Sequence, residues 1–200
     1  HEHLGYYSFT VLQKVVEECG LKVLDVVTND VNGGSIKVTL SHITKVQLPD
    51  ERYRIKQITE IENTAGLGDG ATYHRYANKM KSIVVRINNY VRARTEQRDK
   101  VYLYGASTRG STFMQLLDQD VVKRIHGAAE RNPEKYNHYM VGSWIPIISE
   151  EEAREKADIF LVLPWHFRQG ILAREQETLA RGAKFLFPLP QPMVYSLERL

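Results

Sequence analysis

The 200-residue sequence predicts an α/β protein with a mostly parallel, Rossmann-like sheet in its C-terminal half. From residue 99 onward, short apolar runs alternate with segments of helical periodicity, which is typical of a parallel sheet covered by helices on both faces. Before residue 99, one helical segment and two short β-branched runs are followed by a long stretch of helical spacing. We therefore expect three regions, at residues 1–44, 45–98 and 99–200.

The first region is expected to hold one helix and one pair of strands. Apolar spacing predicts a helix over 7–18, with Ser8 as its N-cap and Gly20 as its stop. Its inward-facing side chains are expected to be Val11, Leu12, Val15 and Val16. The runs L-K-V-L-D-V-V and S-I-K-V-T-L-S-H flank an N-G-G turn, which predicts an antiparallel pair. Three elements cannot cover both faces of a sheet, so this region is expected to be the end of a larger domain.

The second region reads as a helical connector. From Pro49 to Asp99 the apolar spacing is helical and is interrupted by G-L-G-D-G, which predicts two helices. The arginine-rich stretch V-V-R-I-N-N-Y-V-R-A-R carries apolar residues at helical spacing. Its arginines are therefore most simply the solvated face of an amphipathic helix, and a phosphate- or RNA-binding role is the alternative.

The third region carries five short apolar runs, each expected to be a strand. They are V-Y-L-Y-G-A, I-H-G-A-A-E-R, I-P-I-I-S, D-I-F-L-V-L-P and K-F-L-F-P-L-P. Helices are expected between them at 111–118, 150–156 and 167–181. Ligands of such sheets bind at the carboxyl ends of the strands, so the residues that follow each run are the candidates for a site.

The first strand of this region is followed by a glycine-rich turn, Y-G-A-S-T-R-G-S-T. Gly105 and Gly110 have the spacing of a Walker A motif, but Ser111 stands where the lysine belongs, and Ser107 replaces the second glycine of a dinucleotide fingerprint. Small residues still allow a ligand to approach the backbone, and a helix N-terminus favours an anion. The residues expected at a phosphate are Gly105, Ala106, Ser107, Arg109, Gly110 and Ser111. A tight turn without a ligand is the alternative.

Two further strand ends are expected to meet this turn. Glu130 ends the second strand, where an acid often accepts hydrogen bonds from ribose hydroxyls. The stretch L-P-W-H-F-R follows the fourth strand, where Trp165 could cover a flat ring and His166 or Arg168 could meet a phosphate. Each residue alone is as easily explained by packing or by the start of a helix. Three converging strand ends, however, predict one crevice for a nucleotide.

The first three residues, His1, Glu2 and His3, form a cluster with three possible explanations: a metal site, a proton-transfer site or an exposed polar terminus. A metal site is disfavoured, because adjacent side chains on extended backbone point to opposite faces. Their spacing also differs from that of a helical H-E-x-x-H zinc site. We therefore predict no metal here.

Composition excludes several classes of protein. The single cysteine, Cys19, leaves no disulfide framework or Cys-type zinc site in this sequence and is expected to be a buried structural thiol. A net charge of +3 is too near balance for a dedicated nucleic-acid binder. No apolar run approaches the roughly 20 residues of a membrane span, and no signal-peptide pattern is present. We therefore expect a cytoplasmic protein with no nucleic-acid or membrane partner; its oligomeric state stays open.

The motifs together, in their order along the chain, resemble a known family. The order is H-E-H-L-G-Y-Y-S, N-G-G-S-I-K-V, A-G-L-G-D-G-A-T-Y, Y-G-A-S-T-R-G-S-T, E-R-N-P-E-K with P-I-I-S, and L-P-W-H-F-R. It resembles the S-adenosylmethionine-dependent C-methyltransferases of nucleotide-linked deoxysugars over essentially the whole sequence. In that family a cysteine-rich zinc domain and a class I methyltransferase domain precede a second Rossmann-like domain.

The resemblance assigns a part of the family's architecture to each region. Residues 1–44 correspond to the C-terminal remnant of the methyltransferase domain, with its final helix and strand pair. Residues 45–98 correspond to the connector, and 99–200 to the complete C-terminal domain on the sugar-nucleotide side. The zinc domain and the acidic, glycine-rich loop for S-adenosylmethionine have no counterpart in this sequence. We therefore expect a C-terminal fragment that begins inside the family's Y-H-E-H motif and is inactive alone.

The resemblance also implies a reaction and its catalytic residues. The family is thought to methylate the carbon next to a keto group, and a base must first remove the α-proton from that carbon. By resemblance His3 is the base and Glu2 orients it, with His1 beside them; S-adenosylmethionine is the cofactor and a nucleotide-linked sugar the partner. The alternative is a non-catalytic sugar-nucleotide-binding or assembly module.

Some residues near these motifs are less certain, or differ from the family pattern. Tyr6 and Tyr7 are expected in the sugar pocket, although packing under the first helix explains them equally. Ser111 and His166 stand where the family usually has asparagine. The preference for sugar or base is therefore expected to differ from that of other members.

Overall fold

The structure, a computed structural model, describes residues 5–31 and 34–197. The chain forms two compact units, residues 1–78 and 79–200, and the boundary falls within one long helix of the expected connector. The N-terminal cluster of His1, Glu2 and His3 lies outside the described residues, as do Asn32 and Gly33 of the predicted turn.

The first unit begins with helix α1 (Phe9–Glu18) and two strands, β1 (Leu21–Asn29) and β2 (Ser35–His42). Helix α1 starts two residues after the predicted bound at residue 7, directly after the predicted cap Ser8, whose hydroxyl accepts a hydrogen bond from the Val11 amide at 3.3 Å. Strands β1 and β2 pair antiparallel in a two-stranded sheet. The predicted helix and strand pair are thus confirmed.

The apolar core of this unit is small and faces one side of α1. Its buried members are Phe9, Val16, Val23 and Val26. Val11 and Val15, which we expected to face inward, are 44% and 43% exposed, so that expectation is wrong. The inward face passes instead through Phe9, Leu12 and Val16, which follow one another at helical spacing. Cys19 is exposed, which corrects the expectation of a buried thiol.

Helix α2 (Pro49–Ala65) packs on this small core and is tied to it by two carboxylates. Glu62, which is buried, accepts hydrogen bonds from the backbone amides of Phe9 and Thr10 at 2.5 and 2.8 Å, so it caps the start of α1. Arg54 donates from Nε and Nη2 to the two oxygens of Asp25 at 2.7 and 2.8 Å. These polar contacts join α2 to α1 and to β1.

Helix α3 (Gly70–Glu96) is the second of the two connector helices that the sequence predicts. Its residues from 79 onward belong to the second unit, where Ile83, Ile87 and Val91 are buried on one face. Across the described residues, 5–31 and 34–197, no helix combines the length and the apolarity that a membrane span needs.

A six-stranded sheet organises the rest of the second unit. In chain order the elements are β3 (Val101–Tyr104), α4 (Thr108–Met114), α5 (Gln119–Val122), β4 (Ile125–Glu130), β5 (Ile147–Ser149), α6 (Glu150–Lys156), β6 (Ile159–Val162), α7 (Arg168–Arg174), α8 (Gln176–Ala180), β7 (Lys184–Phe187) and β8 (Met193–Tyr195). The strand order is β5-β4-β3-β6-β7-β8; β8 is antiparallel and the other strands are parallel. The predicted Rossmann-like, mostly parallel sheet is confirmed, while the edge strand β8 was not predicted.

Helices cover both faces of this sheet, as the strand residues show. Along β3, Val101 and Leu103 join one buried cluster, while Tyr102 and Tyr104 join the other. Every residue of β3 and β6 is buried. Their apolar runs are continuous for this reason, since neither face is left to solvent.

The strand order places a topological switch between β3 and β6. From β3 the chain builds β4 and β5 to one side, and from β6 it builds β7 and β8 to the other. In open α/β sheets the loops at the carboxyl ends of such strands diverge and leave a crevice between them. The carboxyl ends of β3 and β6 are followed by the glycine-rich turn and by L-P-W-H-F-R, respectively.

Candidate functional site

A cavity of about 550 Å³ lies at the carboxyl edge of the sheet in the second unit. It is lined by residues from the ends of β3 and β4, from the loops that follow β3, β4 and β6, from the start of α6 and from α7: Tyr104, Gly105, Ala106, Ser107, Ala129, Glu130, Arg131, Lys135, Glu150, Pro164, Phe167, Gly170, Ile171 and Arg174. Three of the predicted strand ends therefore do converge on one cavity.

The two glycines of the turn after β3 are explained by close packing against the end of β6. Gly105 has φ +89°, and a Cβ there would lie 3.1 Å from Cδ of Pro164. A Cβ on Gly110 would lie 2.6 Å from a methyl group of Leu163. The two turns therefore pack directly against each other. The Walker-like spacing of these glycines needs no phosphate to explain it.

The residues of the glycine-rich turn divide into those that line the cavity and those that do not. Gly105, Ala106 and Ser107 line it. Arg109, Gly110 and Ser111 are not among the lining residues. Helix α4 starts at residue 108, three residues before the predicted start, because the Ser107 hydroxyl accepts a hydrogen bond from the Gly110 amide at 3.1 Å. The Ser111 hydroxyl donates to the Ser107 carbonyl at 3.3 Å, within the turn itself.

Glu130 lines the cavity and also braces its walls. Its Oε1 accepts hydrogen bonds from the backbone amides of Arg131 and Asn132 at 2.8 and 3.1 Å. Its Oε2 accepts from the Ala106 amide at 3.3 Å and from Lys135 Nζ at 3.2 Å. Burial raises the pKa of Glu130. The hydrogen bonds from the Asn132 and Arg131 amides and from Lys135 lower it by more, so the pKa lies below its usual value. The carboxylate is therefore charged at neutral pH, with both oxygens already in use.

A charged network surrounds Glu175, whose side chain is only 1% exposed, and three of its members, Tyr104, Glu150 and Arg174, line the cavity. Arg154 donates to its two oxygens from Nη2 and Nε at 2.7 and 2.9 Å. The Tyr104 hydroxyl donates at 2.7 Å and the Thr178 hydroxyl at 2.9 Å. Burial raises the pKa of Glu175, but the hydrogen bonds from Arg154, Tyr104 and Thr178 bring it down to about 2.

Arg174 extends this network to the cavity surface. Its Nη2 donates to Glu150 Oε1 at 2.7 Å and to the Tyr104 hydroxyl. Its Nε lies 3.2 Å from Glu175 Oε1, and its guanidinium carbon lies 5.5 Å from the centre of the Tyr104 ring. Burial raises the pKa of Tyr104 well above its usual value, so its hydroxyl stays protonated and can donate to Glu175. The Arg174 side chain remains 37% exposed.

The L-P-W-H-F-R stretch contributes different residues to the cavity from those expected. Pro164 and Phe167 line the cavity, and Phe167 is 59% exposed. Trp165 packs against Phe113 at 6.3 Å between ring centres. Arg168 lies 3.5 Å from the Met193 sulfur and 5.8 Å from the Tyr195 ring, on the side of β8.

His166 is held beside Phe167, with 4.2 Å between ring centres. Its Nδ1 is buried and has no hydrogen-bond partner within the described part of the chain. Burial and the nearby positive charge of Arg109 lower its pKa. At neutral pH this imidazole is therefore uncharged, so it offers no positive charge to a phosphate.

Several residues that line the cavity were not predicted from the sequence, for different reasons. Phe167 belongs to the L-P-W-H-F-R motif, but the larger ring of Trp165 was predicted to cover the ligand instead. Lys135, Glu150 and Arg174 are charged residues in or beside short helices, where a solvated face is the usual interpretation. Tyr6 and Tyr7, expected in a sugar pocket, are 87% and 62% exposed in the first unit.

Comparison with known proteins relates these features to a family. Residues 30–190 match the family described as C-methyltransferase C-terminal domain. The chain is 31% identical over 199 residues to C-methyltransferase NovU of Streptomyces niveus, an alignment that covers 99% of the chain and 47% of NovU. The chain thus spans about half the length of this curated relative. Because the family match includes every residue that lines the cavity, the chain belongs to the C-methyltransferase C-terminal domain family.

Proposed function

We propose that the chain forms part of an S-adenosylmethionine-dependent C-methyltransferase acting on a nucleotide-linked keto-deoxysugar, and that the cavity of the second unit binds the nucleotide portion of that substrate. The observation that carries this proposal is the cavity itself, at the switch-point edge of a Rossmann-like sheet in a chain of this family. Its volume of about 550 Å³ lies within the range of roughly 300–1,000 Å³ that is usual for ligand sites.

The chemistry of the lining supports a nucleotide as ligand. Phe167 and Pro164 offer apolar surface to a flat ring. Arg131 and Arg174 supply positive charge for phosphate oxygens. Glu130 offers a carboxylate to a ribose hydroxyl that takes the place of one of its four donors, such as Lys135, whose side chain is 44% exposed. The three chemical parts of a nucleotide thus each have a counterpart on the cavity wall.

We propose no S-adenosylmethionine site among the described residues. The sheet of the first unit is a two-stranded antiparallel pair, whereas donor loops of this kind follow a parallel strand. We derive no step of the methyl transfer from these residues.

The contribution of this chain to the reaction is then the removal of the α-proton. We propose His3 as the general base, oriented by Glu2 and accompanied by His1, on the strength of the H-E-H-L-G-Y-Y-S motif alone. A positioned base typically accelerates such a step by about 10²- to 10⁴-fold. Tyr6 and Tyr7, which belong to the same motif, remain candidates for the sugar pocket.

Titration calorimetry of the chain tests the nucleotide site. We expect one of thymidine, uridine, cytidine and guanosine diphosphate to bind, and S-adenosylmethionine not to bind. Gly170 lines the cavity and a Cβ there meets no atom within 4 Å, so Gly170→Leu should fill the cavity and weaken binding by about tenfold or more. Gly70→Leu, at another glycine with open space around it, is the matched control. Equal affinities in the two variants would contradict the assignment of the cavity.

A non-catalytic sugar-nucleotide-binding or assembly module is the competing function, and it predicts the same binding. The two differ in proton chemistry. Incubation of the intact enzyme with its keto-sugar nucleotide in D₂O, without methyl donor, should exchange the α-proton if His3 acts as a base. A binding module would leave the proton in place, and in the enzyme His3→Ala should lose the exchange.

A further inference from the structure

The three cations that line the cavity are held in different ways. Lys135 is bound to Glu130 Oε2 and to the Ala106 carbonyl, both at 3.2 Å, so its charge is already paired within the wall. The Arg131 side chain makes no hydrogen bond or ion pair with the described residues, and it is exposed. Lys135 and Arg174 are both fixed in place and line the cavity, with side chains 44% and 37% exposed, but only Arg174 carries a planar guanidinium with several separate N–H donors.

The guanidinium of Arg174 keeps unused donors. Its contacts with the described residues are made through Nη2 and Nε, to Glu150, Tyr104 and Glu175. Nη1 makes none, and the side chain is 37% exposed. The two N–H groups of Nη1 are therefore available to a ligand. The contacts of Nη2 and Nε hold the plane of the guanidinium in place. The two N–H groups of Nη1 can each donate a charge-assisted hydrogen bond to a phosphate oxygen.

An anion can bind to Arg174 without leaving a buried carboxylate unpaired. Arg154 Nη2 lies 2.7 Å from Glu150 Oε2 and 2.7 Å from Glu175 Oε1, and its Nε lies 2.9 Å from Glu175 Oε2. Two carboxylates and two guanidiniums thus balance in this network. Arg154 continues to hold both carboxylates if Arg174 shares its charge with a ligand.

We infer that Arg174 is the side chain of this cavity that binds the diphosphate of a nucleoside diphosphate, and that Tyr104, Glu150 and Glu175 are positioning residues that hold its guanidinium before the ligand arrives. The inference rests on the proposed function, because it names the ligand group bound at one place in the same site. Arg131 then adds charge at the cavity wall without a fixed geometry.

Calorimetry with paired probes tests the role of Arg174. The 200-residue chain is titrated with thymidine or uridine diphosphate and with the corresponding nucleoside. We expect Arg174→Gln to weaken diphosphate binding by about 10- to 100-fold, the usual worth of a hydrogen bond to a charged group, with nucleoside binding unchanged. Arg131→Gln should weaken it about fivefold or less, as is usual for an exposed ion pair. Arg86→Gln, at an exposed position on α3 outside the cavity, is the control for net charge.

A double-mutant cycle tests the positioning residues. Tyr104→Phe keeps the ring but removes the hydroxyl between Arg174 and Glu175. We expect it to weaken diphosphate binding about three- to tenfold in the wild-type background and to have no further effect in Arg174→Gln. A merely structural role for Tyr104 would lower nucleoside and diphosphate binding together, in both backgrounds.

Each result bears on the inference or on the function beneath it. If no nucleoside diphosphate binds the unmodified chain, the proposed function fails and the inference fails with it. If the unmodified chain binds a nucleoside diphosphate, two results would overturn the inference alone. In the first, Arg174→Gln binds the diphosphate as tightly as the unmodified chain does. In the second, Arg174→Gln weakens binding of the nucleoside as much as binding of the diphosphate. If Arg174→Gln does not fold, Arg174→Lys keeps the charge without the planar guanidinium, and an unchanged diphosphate affinity in that variant would overturn the inference.

Discussion

The sheets of the two units differ in how they are covered. In the second unit every residue of β3 and β6 is buried, because helices pack on both faces of a six-stranded sheet. In the first unit every residue of β2 is at least partly exposed, and among the described residues the buried apolar cluster has four side chains. The stability of the second unit therefore depends on packing within the sheet, and that of the first more on polar ties such as Glu62 and Arg54.

The largest difference between the units is expected from core truncation. Phe160 in β6 is fully buried between Tyr104 and Phe185, so Phe160→Ala should lower the free energy of unfolding by about 3–5 kcal/mol. Ile36→Ala in β2, where the side chain is 37% exposed, should cost about 1 kcal/mol or less.

Both tryptophans, Trp144 and Trp165, belong to the second unit, so urea unfolding followed by their fluorescence reports that unit. Hydrogen exchange of the β1 and β2 amides reports the first. Equal losses in the two variants would show that the sheets are covered alike.

Buried carboxylates provide the next comparison. Glu175→Ala leaves Arg154 and Tyr104 without their acceptor in a buried site and should cost about 3 kcal/mol or more. Glu62→Ala removes a cap from the start of α1 and should cost about 1 kcal/mol. Thermal unfolding followed by circular dichroism measures both, and a larger effect at Glu62 would reverse the assignment of roles.

Acid should weaken the second unit through Glu175. Its pKa falls from the usual 4.5 to about 2 in the folded chain, so its contribution to stability is complete above about pH 4.5 and is lost as the pH falls towards 2. Glu175→Gln should be less stable at neutral pH but lose less stability over that interval. Tryptophan fluorescence in urea at pH 5, 4 and 3 checks this, and parallel curves for the two proteins would contradict it.

The smallest effect is expected where a residue of α1 was wrongly predicted to face inward. Val15→Thr, at a position 43% exposed, should change the free energy of unfolding by about 0.5 kcal/mol or less. Val16→Ala, one position further and 6% exposed, should cost about 1–3 kcal/mol. Hydrogen exchange of α1 measures the pair, and similar values would restore the predicted face.

Apolar pattern and turn chemistry predicted most of the fold. Continuous apolar runs marked the buried strands β3 and β6, and the Ser8 cap and the Glu150–Lys156 helix lie where they were expected. The strand β8 was missed because it has three residues and follows a proline-rich turn. Val11 and Val15 were misassigned because Phe9, at the start of α1, decides which face is buried.

The candidate site could be predicted only in part. Parallel strands bring their carboxyl ends together, so Gly105, Ala106 and Glu130 were expected at one edge and do line the cavity there. The burial of Glu175 could not be predicted, since it depends on hydrogen bonds from Tyr104, 71 positions earlier in the chain, and from Arg154. Sequence spacing gives the face of a helix, but not which charged side chains of different loops will pair.

Gly105 and Gly110 pack tightly against Pro164 and Leu163. The two sides of the cavity therefore differ in which substitutions they can accept during evolution. On the side of the glycine-rich turn, any side chain added at Gly110 meets Leu163 at 2.6 Å, so drift in sequence there is opposed by the fold itself. On the α7 side, a Cβ at Gly170 meets nothing within 4 Å, and substitution is sterically free. Changes in the shape of the cavity, whether natural or designed, should therefore arise from α7, while the glycine-rich turn stays constant.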